Sequence, residues 1–277
     1  MTQKADPGTY RYDRALNGKV VGMFFEHPSL RTRLGFEVAV YQLGGQCVYI
    51  GPEAGVLGAR EPIRDLAKVS ARYLDAIVLR TRKHETILEM ARHSTKPVIN
   101  GLSDEQHPCQ ALGDLMTIRE KLGRLCGIKI AYFGDANNVC RSLAQGAAKS
   151  GAVIAVASPE KYGLSETFVK SLGPGATVEQ TTDPLKAAEG ADVLYTDVWT
   201  SMGQESEQEE RRRIFRPYQL NEGILAKAPK ALVMHCLPAH RGEEVSEAAI
   251  DGPNSVVYDQ AENRLHVQRA LLSRLLS

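Results

Sequence analysis

What the chain lacks narrows it first. No run of about 18 or more apolar residues occurs, so no membrane span is expected. The residues from Met1 to Gly8 have no apolar core of the kind a secretory signal needs, which predicts a cytoplasmic protein. Charge of one sign is also missing. The formal net charge is +1, and nothing favours a polyanionic partner such as a nucleic acid. The five cysteines (Cys47, Cys109, Cys126, Cys140 and Cys236) form no CxxC pair and no metal-finger spacing. That pattern fits a reducing compartment and excludes a disulfide scaffold. No GxGxxG fingerprint follows any apolar run, which weakens a dinucleotide-binding reading. Repeats and low-complexity tracts are absent as well.

What is present is ordinary in bulk and informative in order. Hydrophobic residues make up 43% and charged residues 24% of a 277-residue chain, enough for two cores. Short apolar runs alternate with helical patterns. Lys19–Phe25, Gln46–Ile50, Ala76–Leu79 and Lys96–Ile99 read as strands in the first part. Ile128–Phe133, Val153–Ala157, Asp192–Thr196, Ala231–His235 and Val256–Tyr258 read as strands in the second. Helices are expected over Arg31–Leu43, His107–Leu122 and Glu262–Leu276. Strands alternating with helices predict α/β architecture: two doubly wound parallel-sheet domains joined by a bridging helix. The boundary is expected after Leu122, giving domains over 1–122 and 123–277, with the helix 107–122 as bridge and the C-terminal helix 262–277 packing back on the first domain.

In open parallel sheets, ligands bind beyond the carboxyl ends of the strands. Polar residues collect at those ends here, which predicts a cleft between the domains. Ser29-Leu30-Arg31-Thr32-Arg33 lies between a strand and a helix, where free N–H groups and a partial positive charge suit phosphate. The arginines can add bidentate hydrogen bonds. A capped helix with solvated arginines is the plainer alternative, and Arg80 at the end of a second strand favours the anion site. His107 and Gln110 share one face of a helix that opens with Pro108, as either a polar helix start or a pair that grips a small carbonyl and amide. Gly134 to Asn138 forms a turn into a helix, and Asn capping explains it equally well. Asp197 could hold an ammonium group, and Ser201 with Met202 a second polar end. The run Glu205 to Arg213 is expected to be a solvated helix face or a mobile loop. Cys236 follows His235, but neighbours on a strand point to opposite faces, so a nucleophile–base pair is rejected.

Taken together, these segments resemble a known family. Ser29-Leu30-Arg31-Thr32-Arg33 resembles the Ser-x-Arg-Thr-Arg motif of the carbamoyltransferases, and His107-Pro108-Cys109-Gln110 their His-Pro-x-Gln motif. Asp197 to Gly203, with its Ser-Met-Gly, and His235-Cys236-Leu237-Pro238 resemble the ornithine branch. The resemblance implies transfer of the carbamoyl group of carbamoyl phosphate to the side-chain amine of L-ornithine, giving citrulline and phosphate. It implies that Ser29, Leu30, Arg31, Thr32 and Arg33 hold the phosphate, while Arg80, His107, Gln110 and Arg264 hold the carbamoyl group. It further implies that Asn138, Asp197, Ser201 and Met202 hold the amino-acid end of ornithine, and that Cys236 and Leu237 line the reacting amine. Arg80, His107, Cys236 and Asp197 are the implied catalytic set. No metal and no cofactor is implied. A homotrimer, or a multiple of one, is implied, with each active site completed by a neighbour.

Three departures accompany the resemblance. The family carries another helix before the segment matching Lys4–Lys19, and this chain is expected to lack or shorten it. Val56 stands near the place where relatives carry a Gln or His reaching into the adjacent subunit. Leu30 replaces a common Thr, so one side-chain donor is lost. The rival readings are a carbamoyltransferase for putrescine, lysine or an N-acylornithine, and an inactive family member that binds these ligands.

Overall fold

The computed structural model describes residues 14–200 and 205–276. The chain divides into two compact units: residues 1–109 with 262–277, and residues 110–261.

The first unit holds a four-stranded parallel sheet in the order β2-β1-β3-β4. Its strands are β1 (Val20–Phe25), β2 (Gln46–Ile50), β3 (Ala76–Arg80) and β4 (Val98–Leu102). β1 and β3 are apolar along nearly their whole length because helices cover both faces. Alternation then assigns each side chain to a core. Val21, Met23, Phe25, Ala76 and Val78 pack with Phe36, Ala39 and Val40 of the helix Leu30–Gln42 and with Leu272 of the C-terminal helix. Phe24, Ile77 and Leu79 pack on the opposite face with Ile63 and Ala67 of the helix Ile63–Tyr73 and with Ile87 and Met90 of the helix His84–His93.

The second unit repeats the plan with five strands in the order β7-β6-β5-β8-β9. These are β5 (Lys129–Phe133), β6 (Val153–Ala157), β7 (Thr177–Thr181), β8 (Val193–Thr196) and β9 (Leu232–His235), all parallel. Here too the strand faces part into two cores, one built on Phe133, Leu194 and Phe215, the other on Tyr132, Tyr195 and Met234. In each sheet the winding direction reverses once, between β1 and β3 and between β5 and β8. Those reversals are the switch points where parallel sheets bind ligands.

The two-domain parallel architecture is as expected from the alternating pattern. The helix Pro108–Leu122 begins in the first unit and continues in the second, and residues 262–277 belong to the first unit. One strand is corrected. Val256–Tyr258 is not a strand: Val256 N–H donates to Val233 O at 3.0 Å, and the long helix Val257–Leu276 starts at once, with Gln260 N–H on Val256 O at 2.8 Å. A three-residue apolar run carries no period, so helix and strand cannot be told apart from it. β7 is not evident from the sequence, because its exposed Thr-Val-Glu-Gln-Thr segment sits at a sheet edge with little apolar signal. Among the described residues, no helix is long and apolar enough to cross a membrane.

Candidate active site

At the first switch point, β1 runs out at Phe25 and β3 at Arg80, whose positions pair directly across the sheet. The register of β3 against β4 slips between Leu79 and Arg80, so that Arg80 meets Leu102. A slip of this kind re-aims a strand-end side chain. Gly101 permits it, since a Cβ there would stand 2.9 Å from Leu79 O. Arg80 ends up buried, together with Thr32, His107 and Arg264. Arg264, from the C-terminal helix, donates through Nη2 to Thr32 Oγ1 at 3.1 Å. Ser29 sits at the N-cap of the helix Leu30–Gln42 without spending its side chain on a capping bond. Thus the hydroxyl and the first turn's N–H groups of that 13-residue helix are not tied to each other.

His107 reports the local potential. Burial pushes its pKa well below the ordinary value, and the Arg264, Arg80 and Arg31 guanidiniums push it further the same way. The ring is therefore a neutral imidazole in a positive field. Such a ring donates one N–H without adding charge, and such a field stabilises an anion.

Not every motif residue joins this group. Arg33 is exposed, bonds Glu37 Oε1 at 2.9 Å and stacks 3.8 Å from the Tyr49 ring centroid. The Leu30 side chain is 69% exposed, so only its backbone is available to a ligand in this unit. Val56 is exposed as well.

At the second switch point, Gly134-Asp135 follows β5 and Asp197 follows β8. Gly134 has φ of 115°, a conformation that favours glycine. Asn137 caps the helix Asn138–Ser150, its Oδ1 accepting from Val139 N at 3.0 Å and Cys140 N at 3.2 Å. Its Nδ2 donates to Asp197 Oδ2 at 2.8 Å. Asp197 Oδ1 accepts from Val198 N at 2.8 Å and from the Cys236 thiol at 2.7 Å. Three donors thus fix the orientation of this buried carboxylate, and a carboxylate so oriented suits a bound ammonium. Cys236 is a thiol aimed at a carboxylate and not a nucleophile beside a base. Its neighbour His235 is buried and differently engaged: Nδ1 accepts from Leu237 N at 2.8 Å, which leaves Nε2–H to donate to Glu244 Oε1 at 3.1 Å. Asp197, His235 and Cys236 offer atoms within 4.8 Å of one another, but with both ring nitrogens so committed His235 has no lone pair left for a metal. Leu237 adopts φ of 56°, an uncommon state for a non-glycine residue and one found at functional turns.

Ser201 and Met202 lie outside the described residues. Asn138 is the first helical residue, and the link to Asp197 runs through its neighbour Asn137, which the sequence marks only as a possible cap. The charged run is corrected in part. The helix Gln208–Phe215 does carry exposed glutamates, but Arg211 is buried, paired with Asp135 and set 5.1 Å from the Phe215 ring. Burial raises the Asp135 pKa, and Arg211 works against that rise.

Glu244 makes a pH prediction. Burial pushes its pKa up, but the hydrogen bonds from His235 and from the His240 N–H outweigh burial and hold it below the ordinary value. A carboxyl depressed on folding stabilises the fold above its unfolded pKa of about 4.3, and that stability is lost as pH falls through the folded value. Denaturation midpoints should therefore drop on acidification below about pH 4.3, and Glu244→Gln should flatten that part of the curve. Parallel curves for the two proteins would remove Glu244 from the acid-sensitive groups.

Two open parallel sheets, each with buried charged groups at its switch point, define a two-domain α/β protein for small ionic ligands. The chain belongs to the aspartate/ornithine carbamoyltransferase family. Residues 2–120 match the family's carbamoyl-P binding domain and residues 126–275 its Asp/Orn binding domain. A relative named ornithine carbamoyltransferase from Halalkalibacterium halodurans is 52% identical over 267 residues, covering 94% of this chain and 84% of that protein. A relative from Pyrococcus furiosus, named as the anabolic ornithine carbamoyltransferase, is 51% identical, covering 95% of this chain and 85% of its own length. The solved ornithine carbamoyltransferase structure from Pyrococcus furiosus superposes with a TM-score of 0.92 at 50% identity, covering 95% of this chain and 86% of that one. The one from Thermus thermophilus gives 0.88 at 45% identity, covering 95% and 88%.

Proposed function

We propose that this chain transfers the carbamoyl group of carbamoyl phosphate to the side-chain amine of L-ornithine. The observation that carries the reading is Asp197, a buried carboxylate held by Asn137, Val198 and Cys236 at the switch point of the unit that matches the Asp/Orn binding domain. The positive field around His107 supports the other substrate, since carbamoyl phosphate is a small anion.

In this reading Ser29, Leu30, Arg31 and Thr32 bind the phosphate, with Leu30 contributing its backbone, while Arg33 stays paired with Glu37. Arg80, His107, Gln110 and Arg264 hold the carbamoyl group, and Arg80 and His107 polarise its carbonyl. Asn138, Asp197, Ser201 and Met202 hold the amino-acid end, and Cys236 and Leu237 line the reacting amine. The amine nitrogen attacks the carbamoyl carbon, the C–O bond to phosphate breaks, and the amine proton leaves with the departing phosphate or water. Preorganised donors at the developing oxyanion lower the barrier more than any other single effect. An alkylamine of pKa about 10.4 costs about 4 to 5 kcal/mol to deprotonate at pH 7, which exclusion of water reduces by disfavouring the ammonium.

The test is citrulline formation from carbamoyl phosphate and ornithine, run beside putrescine, lysine and N-acetylornithine. Turnover with ornithine is expected. Turnover only with another amine would move the specificity away from Asp197 and Cys236.

The working assembly is a homotrimer or a multiple of one. Leu30, Leu34, Val38 and Tyr41 recur on one face of the helix Leu30–Gln42, and all are exposed in the single chain, Tyr41 by 70%. An apolar stripe of that kind marks an interface. Leu34→Glu is expected to convert the assembly to monomers in sedimentation equilibrium; a wild-type chain that is already monomeric would sink the proposal. A cytoplasmic location fits five cysteines that all remain thiols.

A further inference from the structure

A buried polar hub underlies the second unit. Asp114 is fully buried on the helix Pro108–Leu122, one turn after Gln110. Its Oδ1 accepts from Gln110 Nε2 at 2.9 Å and from Gln260 Nε2 at 2.7 Å. Its Oδ2 accepts from the Tyr195 hydroxyl at 3.1 Å, and Gln260 Nε2 also reaches that hydroxyl at 3.1 Å. Gln260 Oε1 in turn accepts from His235 N at 2.9 Å. Beyond His235, the ring nitrogen Nδ1 takes the Leu237 N–H at 2.8 Å.

We propose that Asp114 is a positioning residue that orients the carbamoyl-facing Gln110 directly and, through Gln260 and His235, sets the Cys236-Leu237 turn; this rests on the functional reading above. An ionised carboxylate only accepts hydrogen bonds, so it decides which way each amide faces. Gln110 must turn Nε2 toward Asp114, which presents Oε1 on the other side as an acceptor for the carbamoyl NH2. Gln260 must do the same, which puts its Oε1 where the His235 backbone N–H can use it. The end of β9 is thereby pinned at a fixed depth, and Cys236 meets Asp197 from that depth. Tyr195 belongs to the core of the unit, stacked on Tyr132 with ring centroids 5.6 Å apart, so the hub is anchored to packed aromatics. One buried carboxylate thus serves groups assigned to both substrates. Displacement of such groups by about 1 Å can cost about 100-fold in rate.

The arms of the hub can be separated. Asp114→Ala, Asp114→Asn, Gln260→Met and Gln110→Ala, with the Asp114→Ala/Gln110→Ala double variant, are assayed for kcat and KM with carbamoyl phosphate and ornithine. Near-ultraviolet circular dichroism checks folding. Asp114→Ala is expected to lower kcat/KM for carbamoyl phosphate by about 100-fold when residue 110 is Gln, but by less than about 5-fold when it is Ala. Gln260→Met should raise the ornithine KM by about 10-fold and leave the carbamoyl phosphate KM within about 2-fold. Asp114→Asn keeps an acceptor for the two glutamines, while Tyr195 can accept from its amide, so it should recover most of the activity that Asp114→Ala loses. Equal losses from Asp114→Ala in both backgrounds, or an unmoved ornithine KM in Gln260→Met, would overturn the inference while leaving the functional reading intact. Should Asp114→Ala not fold, Gln260→Met and Asp114→Asn decide alone: ornithine-specific loss in the first with near-normal activity in the second supports the hub, and any other pattern rejects it. Wild-type protein that makes no citrulline would overturn both the functional reading and the hub.

Discussion

Arg80→Ala is expected to lower kcat/KM for carbamoyl phosphate by about 1,000-fold, while the ornithine KM changes by less than about 3-fold. The size follows from position and charge. Arg80 ends β3 at the sheet's switch point, is buried, and is re-aimed by the slip in register against β4. It is one of three guanidiniums that lower the His107 pKa, so all three add to one positive field. Removing a single donor aimed at a developing oxyanion costs about 100- to 1,000-fold in kcat, and a charged donor lies at the upper end. Inorganic phosphate should raise the wild-type melting temperature more than that of the variant. Because His107 is already neutral, it should not itself contribute an acid limb near about 6.5 to the rate profile. Kinetics within about 5-fold of wild type would take Arg80 out of the site.

What the sequence shows of the two switch points is local. Ser29, Arg80 and His107 in the first unit, and Asp197 and Cys236 in the second, each sit at the end of an apolar run or the start of a helical one, and each parallel sheet delivers its own strand ends to one edge. The parts that are not legible are pairings across the sequence. Gln260 lies 146 residues from Asp114, and neither residue type nor spacing joins them. Asn137 and Asn138 are equivalent in a sequence, and only the cap geometry decides that Asn137 meets Asp197. Arg33 carries the motif yet turns to Glu37 and Tyr49, because an i,i+4 carboxylate on its own helix lies within reach. Arg211 is hidden inside a charged run whose exposed members mask one buried position. The same limit explains Val256–Tyr258, where three apolar residues cannot reveal that a helix has begun.

Asp197→Asn should lower kcat/KM for ornithine by about 1,000-fold and leave the carbamoyl phosphate KM within about 3-fold of wild type. The substitution is nearly isosteric, so the effect is chemical. Asp197 takes three donors in the free protein: Asn137 Nδ2 at 2.8 Å, Val198 N at 2.8 Å and the Cys236 thiol at 2.7 Å. An asparagine must turn its own N–H2 toward at least one of them, and it has no charge to offer an ammonium. The loss therefore combines a missing ion pair with a donor facing a donor, and a site built around buried polar groups penalises such a mismatch steeply. Cys236→Ala should be milder, about 10-fold in the ornithine KM, because it deletes one donor and leaves the carboxylate charged and held by the other two. The order of the two variants is the sharper test. If Cys236→Ala proved the more damaging of the two, the thiol would have a chemical role of its own, and Asp197 would be the residue that positions it.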